Sequence, residues 1–226
     1  MLLVLTLALA AAAAMVASAA ADPSAPLTQA LRRVLTAPEA TANVVLERSD
    51  PFGGPPERET GRVWYVPGRG MRYRVDGKEG IQLALDRQAG TMLLYRPAEP
   101  ALYEAAWEKA PSKLRRLAAE PERVLDGASR ATAERRSVRG RTVAGWKLRS
   151  ASLGDSLGRA SLWVSLDPKS GLPRLVSIAS DVDTLLVEFR GWTLLRKARP
   201  ADLGIRVPKS TPRALLDPRE LLDRRG

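Results

Sequence analysis

The stretch "GRVWYVPGRGMRYRVD", residues 61–76, keeps a period of two on both sides of a Pro-Gly step. In its second half Met71, Tyr73 and Val75 alternate with Arg72, Arg74 and Asp76. One face is apolar and the other charged, which is the pattern of a half-buried strand. In its first half Val63 and Tyr65 share one face, and Trp64 and Val66 share the other. A strand with bulk on both faces is expected to have cover on both sides. Pro67-Gly68 supplies the turn. The reading is therefore strands over 61–66 and 70–76, and the same period governs most of the chain around them.

Working back from this pair, "DPFGGPPERE" (50–59) reads as a Pro/Gly loop and "TANVVLERS" (41–49) as a strand. Before that the period is 3.6: in "PLTQALRRVLTA" the residues Leu27, Ala30, Leu31, Val34 and Leu35 form one apolar stripe on a helix that Pro38 stops. Working forward, "GIQLALD" (80–86) and "TMLLYRP" (91–97) alternate as strands. "ALYEAAWEKA" (101–110) fits strand or helix. "PSKLRRLAAEPERVLDG" (111–127) reads as short helical turns, with Leu114 and Leu117 on one side. Strand patterns resume over 131–138, 143–152, 159–166, 172–180 and 184–195, and a last short strand is expected at Ile205-Arg206-Val207. With about ten strands and helices that do not alternate with them, antiparallel neighbours are expected rather than βαβ units. The fold class is mainly β (α+β). It is one domain over 22–210, built on a single curved antiparallel sheet, with a flexible tail over 211–226.

The first 21 residues carry no charged side chain and run apolar from Leu2 to Val16. Ala17-Ser18-Ala19 and Ala19-Ala20-Ala21 both satisfy the small-x-small cleavage rule, so residues 1–21 read as an export signal cut near Ala19 or Ala21. No Lys or Arg precedes the apolar run, which leaves an uncleaved anchor as the competing reading. The expected location is the periplasm.

Composition narrows the chemistry. The 226 residues include no cysteine and no histidine. Thiol catalysis, disulfides and Cys-based metal sites are excluded, and so is any imidazole base or ligand. Gly154-Asp155-Ser156-Leu157-Gly158 matches the Gly-x-Ser-x-Gly nucleophile elbow, but that elbow needs a strand–turn–helix context and a histidine to take the serine proton. Ser156 instead sits between two strand-like segments. Lys147 and Lys169, the nearest candidates for a Ser-Lys dyad, lie in no recognisable motif. Asp181 and Asp183 flank a turn, Glu122 and Asp126 sit in a solvated helical region, and "GRG" at 68–70 lacks the rest of a dinucleotide fingerprint. No catalytic residue and no metal site is assigned.

The net charge is +11, from 36 basic and 25 acidic residues. The basic residues are interleaved with acids, and the densest run, "SRATAERRSVRGR" (129–141), offers no aromatic for a base to stack on. Nucleic acid is not the expected partner. Most of the charge reads as solvated surface, part of it able to meet anionic lipid or an acidic partner face. The aromatics are spread over the strands. On a curved sheet they are expected to line an apolar cavity suited to an acyl chain.

In these features the chain resembles the LolA-type outer-membrane lipoprotein carrier proteins. The resemblance rests on "LTQALRRVL…TANVVLE", "GRVWYVPGRGMRYRV", "DRQAGTMLLYRP", "LWVSLDPKSGLPRLVSIASD" leading into "TLLVEFRGWTLL", and the closing "ADLGIRVPKS". It implies an open half-barrel whose concave face is covered by an N-terminal helix and short central helices. It implies a monomer that binds lipoprotein acyl chains or another lipid and uses no cofactor. An inner-membrane transporter would load it, and an outer-membrane acceptor would receive the cargo. The expected cavity residues are Trp64, Met71, Tyr73, Leu83, Leu94, Trp146, Trp163 and Phe189, and the expected lid residues are Leu27, Leu31, Leu114 and Leu117. Val66 stands where the family has an Arg that ties the sheet to the helices. Val66 is accordingly expected to pack against a helix, with Arg62 or Arg69 as basic substitutes. Rival readings are a lipid-sensing or regulatory interaction domain on the same fold, and an exported β-domain with a filled core.

Overall fold

The computed structural model describes residues 24–50, 52–76, 80–99, 101–110, 115, 131–148, 161–179, 184–197 and 203–217. The chain opens with helix α1 (Ala25–Thr36) and continues through β1 (Ala40–Arg48), β2 (Glu57–Val66), β3 (Gly70–Val75), β4 (Gln82–Asp86), β5 (Thr91–Arg96) and β6 (Ala101–Ala106). A single 3-10 turn, Trp107–Lys109, follows. The second half holds β7 (Thr132–Val138), β8 (Arg141–Leu148), β9 (Ser161–Leu166), β10 (Pro173–Ala179), β11 (Thr184–Leu194) and β12 (Arg213–Leu215). Residues 1–21, expected to be an export signal, the expected lid residues Leu114 and Leu117, and the Ser156 motif lie outside the described residues.

All twelve strands belong to one sheet in the order β12-β6-β5-β4-β3-β2-β1-β11-β10-β9-β8-β7. Neighbours are antiparallel except β12, which runs parallel to β6. The ends β12 and β7 do not pair with each other, so the sheet is an open half-barrel. Two meanders, β1–β6 and β7–β11, meet at the β1·β11 pairing in the middle. That pairing runs from Ala40↔Leu194 to Arg48↔Leu185 with one irregularity between Thr41 and Asn43.

The period of two sorts the side chains as expected. Val63, Met71, Tyr73, Leu83, Leu94 and Val187 lie on one face of the sheet, in a single apolar cluster with Leu27, Leu31 and Val34 of α1. These three helix residues are fully buried. Burying each is worth about 1.5–3 kcal/mol, so packing rather than capping holds α1; its N-cap, Ser24, makes no side-chain cap bond.

Four local expectations are corrected. Residues 57–59, expected in a loop, extend β2 instead, because β1 offers partners along its whole length. Opposite charges face each other there, at Arg48↔Glu57 and Glu47↔Arg58. The segment 101–110 is strand and then a 3-10 turn, not one element. Ile205-Arg206-Val207 is not a strand. The closing strand is instead β12, inside the segment expected to be a loose tail. It is anchored by the buried Leu216 and by an Arg213–Glu104 ion pair at 2.9 Å, on the open edge of β6.

The β7–β8 hairpin closes over two residues, Arg139 (φ 50°) and Gly140 (φ 73°), a turn in which both positions are left-handed. Further along β8, Gly145 faces Trp163, which is fully buried. A Cβ on Gly145 would fall 2.6 Å from the indole ring. Gly145→Ala is therefore expected to destabilise the fold by about 2–3 kcal/mol, although an alanine in a strand ordinarily costs nothing. Chemical denaturation checks this, and an unchanged midpoint would contradict the packing.

Candidate functional site

The helix face collects most of the residues expected to contact lipid. Met71, Tyr73, Leu83, Leu94 and Phe189 are buried there with Leu27 and Leu31. Trp146 lies at the rim of the same face, partly buried against the cluster, as do Tyr65, Tyr103 and Trp192. Phe189 stacks on Trp192 with ring centroids 5.0 Å apart, and the Trp192 indole N–H donates to the Pro173 carbonyl at 2.7 Å. Among the described residues the buried Tyr73 hydroxyl has no hydrogen-bond partner, and burial, aided by the charges of Glu59 and Asp76, pushes the phenol pKa far above its ordinary value. In this closed arrangement α1 occupies the apolar face.

Two of the expected cavity residues belong to the opposite face, for the reason that sorts the others: adjacent strand residues point to opposite sides. Trp64 pairs with Arg72, not with the apolar row of Val63 and Tyr73. Three arginines surround it, with guanidinium carbons 5.2 Å (Arg62), 5.3 Å (Arg72) and 6.0 Å (Arg74) from the ring centre. Trp163 lies between Leu162 and Val164 of the helix face and so points away from them. Its indole N–H donates to the Glu134 carbonyl at 3.3 Å, and Arg136 covers its ring. Alternation along β9 is legible in sequence: Leu162, Val164 and Leu166 form its apolar row, and Trp163 shares the other row with Ser161 and Ser165.

The hold on α1 also differs from expectation. Val66 follows Trp64 by two and shares its face, away from the helix. Arg62 lies against Trp64, and Arg69 makes a 2.7 Å ion pair with Asp86. Burial raises the Asp86 pKa, but the Arg69 hydrogen bond and the backbone N–H groups of Ala89 and Gln88 bring it below the usual carboxylate value. The polar tie of the helix is Arg33, whose guanidinium donates to the Ser170 carbonyl in the β9–β10 turn at 2.8 Å. Near that tie is a hollow of about 580 Å³ at the β9–β10 turn, in whose wall Phe189, Trp192 and Pro173 meet the charged Asp167, Arg174, Glu188 and Arg190. A second hollow, of about 460 Å³, lies on the opposite face, between the tip of the β7–β8 hairpin and the loop after β1, with Trp163 and Leu186 in its wall.

That hairpin tip is fastened across the central pairing. Arg139 bonds Glu188 of β11 and Glu47 of β1, each at 2.8 Å, and Arg190 adds a third contact to Glu188 at 2.9 Å. In sequence this run reads as solvated charge; a basic residue ahead of Gly140 in a two-residue turn is the available signal. Among the described residues no group of three or more acidic side chains is placed to hold a metal ion, and no helix is long and apolar enough to cross a membrane.

Glu188 gives the cluster a pH signature. Burial pushes its carboxyl up, but hydrogen bonds from Arg190 and Arg139 outweigh burial and bring its pKa from 4.5 to about 2. The folded value is the lower one, so its contribution is present above pH 4.5 and is lost as pH falls towards 2. Glu188→Gln is expected to cost about 2–3 kcal/mol at neutral pH. The gap to the wild type should narrow progressively below pH 4.5. Denaturation midpoints across that range test it, and a constant gap would contradict the assignment.

No protein-family model matches the chain, and no curated protein matches it. Among solved structures, an uncharacterized conserved protein from Thermus thermophilus is similar at 14% identity and a TM-score of 0.49, covering 83% of this chain and 98% of that one. LprF from Mycobacterium bovis is similar at 13% identity and a TM-score of 0.46, covering 84% and 99%. A LolA superfamily protein from Nitrosomonas europaea is similar at 10% identity and a TM-score of 0.39, covering 79% and 95%.

Proposed function

We propose that this chain is an exported, non-enzymatic carrier that takes up the acyl chains of lipoproteins, or of another lipid, on the helix face of its sheet. The observation that supports this reading most directly is how α1 is held. Among the described residues, the buried Leu27, Ala30, Leu31 and Val34 and an exposed hydrogen bond from Arg33 to Ser170 hold a short helix over an apolar face. Phe189 stacks on Trp192 at the rim of that face. An acyl chain bound on the helix face replaces the contacts of Leu27, Leu31 and Val34 with contacts of the same kind.

Such an exchange is reversible by construction. Apolar burial yields about 25 cal/mol per Å² on either side of it, so displacing the helix cancels much of what the lipid gains. A carrier needs that near balance, since cargo held at full strength is not handed over. In this reading the protein works as a monomer in the periplasm. A transporter in the inner membrane loads it, and an acceptor at the outer membrane empties it. No catalytic step is assigned to Ser156.

Lipid extraction and mass spectrometry of protein purified from its native compartment test the reading; recovery of no acyl lipid, together with failure to bind a fluorescent fatty-acyl probe, would sink it. Arg33→Gln removes the polar tie and is expected to tighten acyl-probe binding about three- to tenfold. It should also speed hydrogen exchange in residues 25–36. Unchanged affinity and exchange would mean that α1 does not open. Ser156→Ala should leave probe binding unchanged, and neither form should hydrolyse acyl esters.

A further inference from the structure

The face opposite α1 carries an arrangement that stability does not explain. Arg62 of β2 stands directly across from Arg74 of β3. Like charges in directly opposed positions of an antiparallel pair destabilise it. The polar row continues to either side of this pair: Arg190 of β11 faces Asn43 of β1, Asn43 faces Arg62, and Arg74 faces Gln82 of β4. Arg58, four residues back along β2, is exposed on the same side, opposite Glu47.

Acidic groups answer only part of this charge. Glu188 holds Arg190 at 2.9 Å, and Asp76 approaches Arg74 at 3.8 Å with both side chains about half exposed. Arg62 makes no ion pair among the described residues; its contact is with the Trp64 ring. Trp64 is itself only half-buried, standing among Arg62, Arg72 and Arg74. A half-buried indole beside the exposed guanidinium groups of Arg62 and Arg74, with Arg72 held by Gln82, suits one environment in particular. At the surface of an anionic bilayer an indole sits at headgroup depth, while arginines bind phosphate oxygens in bidentate fashion. An acidic protein surface would answer the charge but gives the indole no comparable role.

We infer that this face docks on an anionic phospholipid surface, with Arg62 and Arg74 on the phosphates and Trp64 at headgroup depth. The docking face and the helix face are the two sides of one sheet, so α1 stays uncovered when the protein is docked. Docking is also independent of what the helix face holds.

The test is partition of the full chain onto vesicles of phosphatidylglycerol in phosphatidylcholine, against vesicles of phosphatidylcholine alone. Partition should favour the anionic vesicles and weaken with salt. Arg62→Gln with Arg74→Gln should lower it about tenfold or more, and Trp64→Ala should lower it as well. Arg62→Lys with Arg74→Lys should keep most of it, which separates charge from misfolding. Arg135→Gln with Arg141→Gln removes the same charge from exposed positions on the β7–β8 hairpin, and should stay within about threefold of wild type. Acyl-probe binding by the Arg62/Arg74 variant should equal that of wild type, so loss of docking and loss of the carrier reading are distinguishable. The inference is overturned if the glutamine pair partitions like wild type, if both vesicle types bind equally, or if the protein binds poly-glutamate but not anionic vesicles.

Discussion

The pairing of β1 with β11 is the contact on which the rest of the molecule depends. Each meander can form from neighbours in sequence, but neither is a half-barrel until these two strands meet across most of the length of the chain. The seam then fixes everything on both sides of it. It brings the α1 end of the chain beside β9 and β10, where the helix packs, and it aligns the apolar rows of the two meanders into one face. Arg139 fastens the seam from outside, because a single guanidinium holds a carboxylate on each of its two strands. The left-handed backbone at Arg139 costs on the order of 1 kcal/mol, and the ion pairs offset it. A topology closed by so distant a pairing is expected to fold slowly.

A sheet of this kind has two surfaces, and the strand period assigns them different chemistry. The helix face is apolar over most of its strands, and α1 packs on it at β9 and β10. The opposite face carries Trp64 among its arginines, the buried Trp163 under Arg136, and the carboxylates that receive Arg139. Tryptophan is present on both, which is why residue type alone does not separate core from surface here. What separates them is the cross-strand partner: Trp146 stands opposite Val164 on the helix face, whereas Trp64 stands opposite Arg72.

How α1 is restrained bears directly on exchange. An arginine reaching from the β2–β3 turn to the helix would link opening to the breaking of buried hydrogen bonds. In this chain the turn arginine, Arg69, is committed to Asp86, and the helix relies on Leu27, Leu31 and Val34 with one tie from Arg33 at the far turn. Apolar contacts are non-directional, so they can be traded for acyl contacts without leaving polar groups unpaired.

The sequence by itself determined the local rules: a first helix with one apolar stripe, strands of period two from 41 onward, the antiparallel class, and the absence of thiol and imidazole chemistry. Those follow from residue type and spacing, which act over a few positions. It also determined the apolar row of Met71, Tyr73, Leu83 and Leu94, since alternation within a strand suffices for that. It left undecided the strands with bulk on both faces. The register of the β2–β3 hairpin places Trp64 opposite Arg72, the pairing of β9 with β8 and β10 places Trp163 opposite Lys147 and Ser177, and only the exposed edge of β6 makes a strand of Arg213–Leu215. The arginine assignments were likewise tertiary: Arg33, Arg69 and Arg139 look alike in sequence, and each found its partner through turns and strands brought together from elsewhere in the chain. An arginine is fixed where geometry delivers a counter-group, and that geometry is written in long-range register rather than in any local pattern.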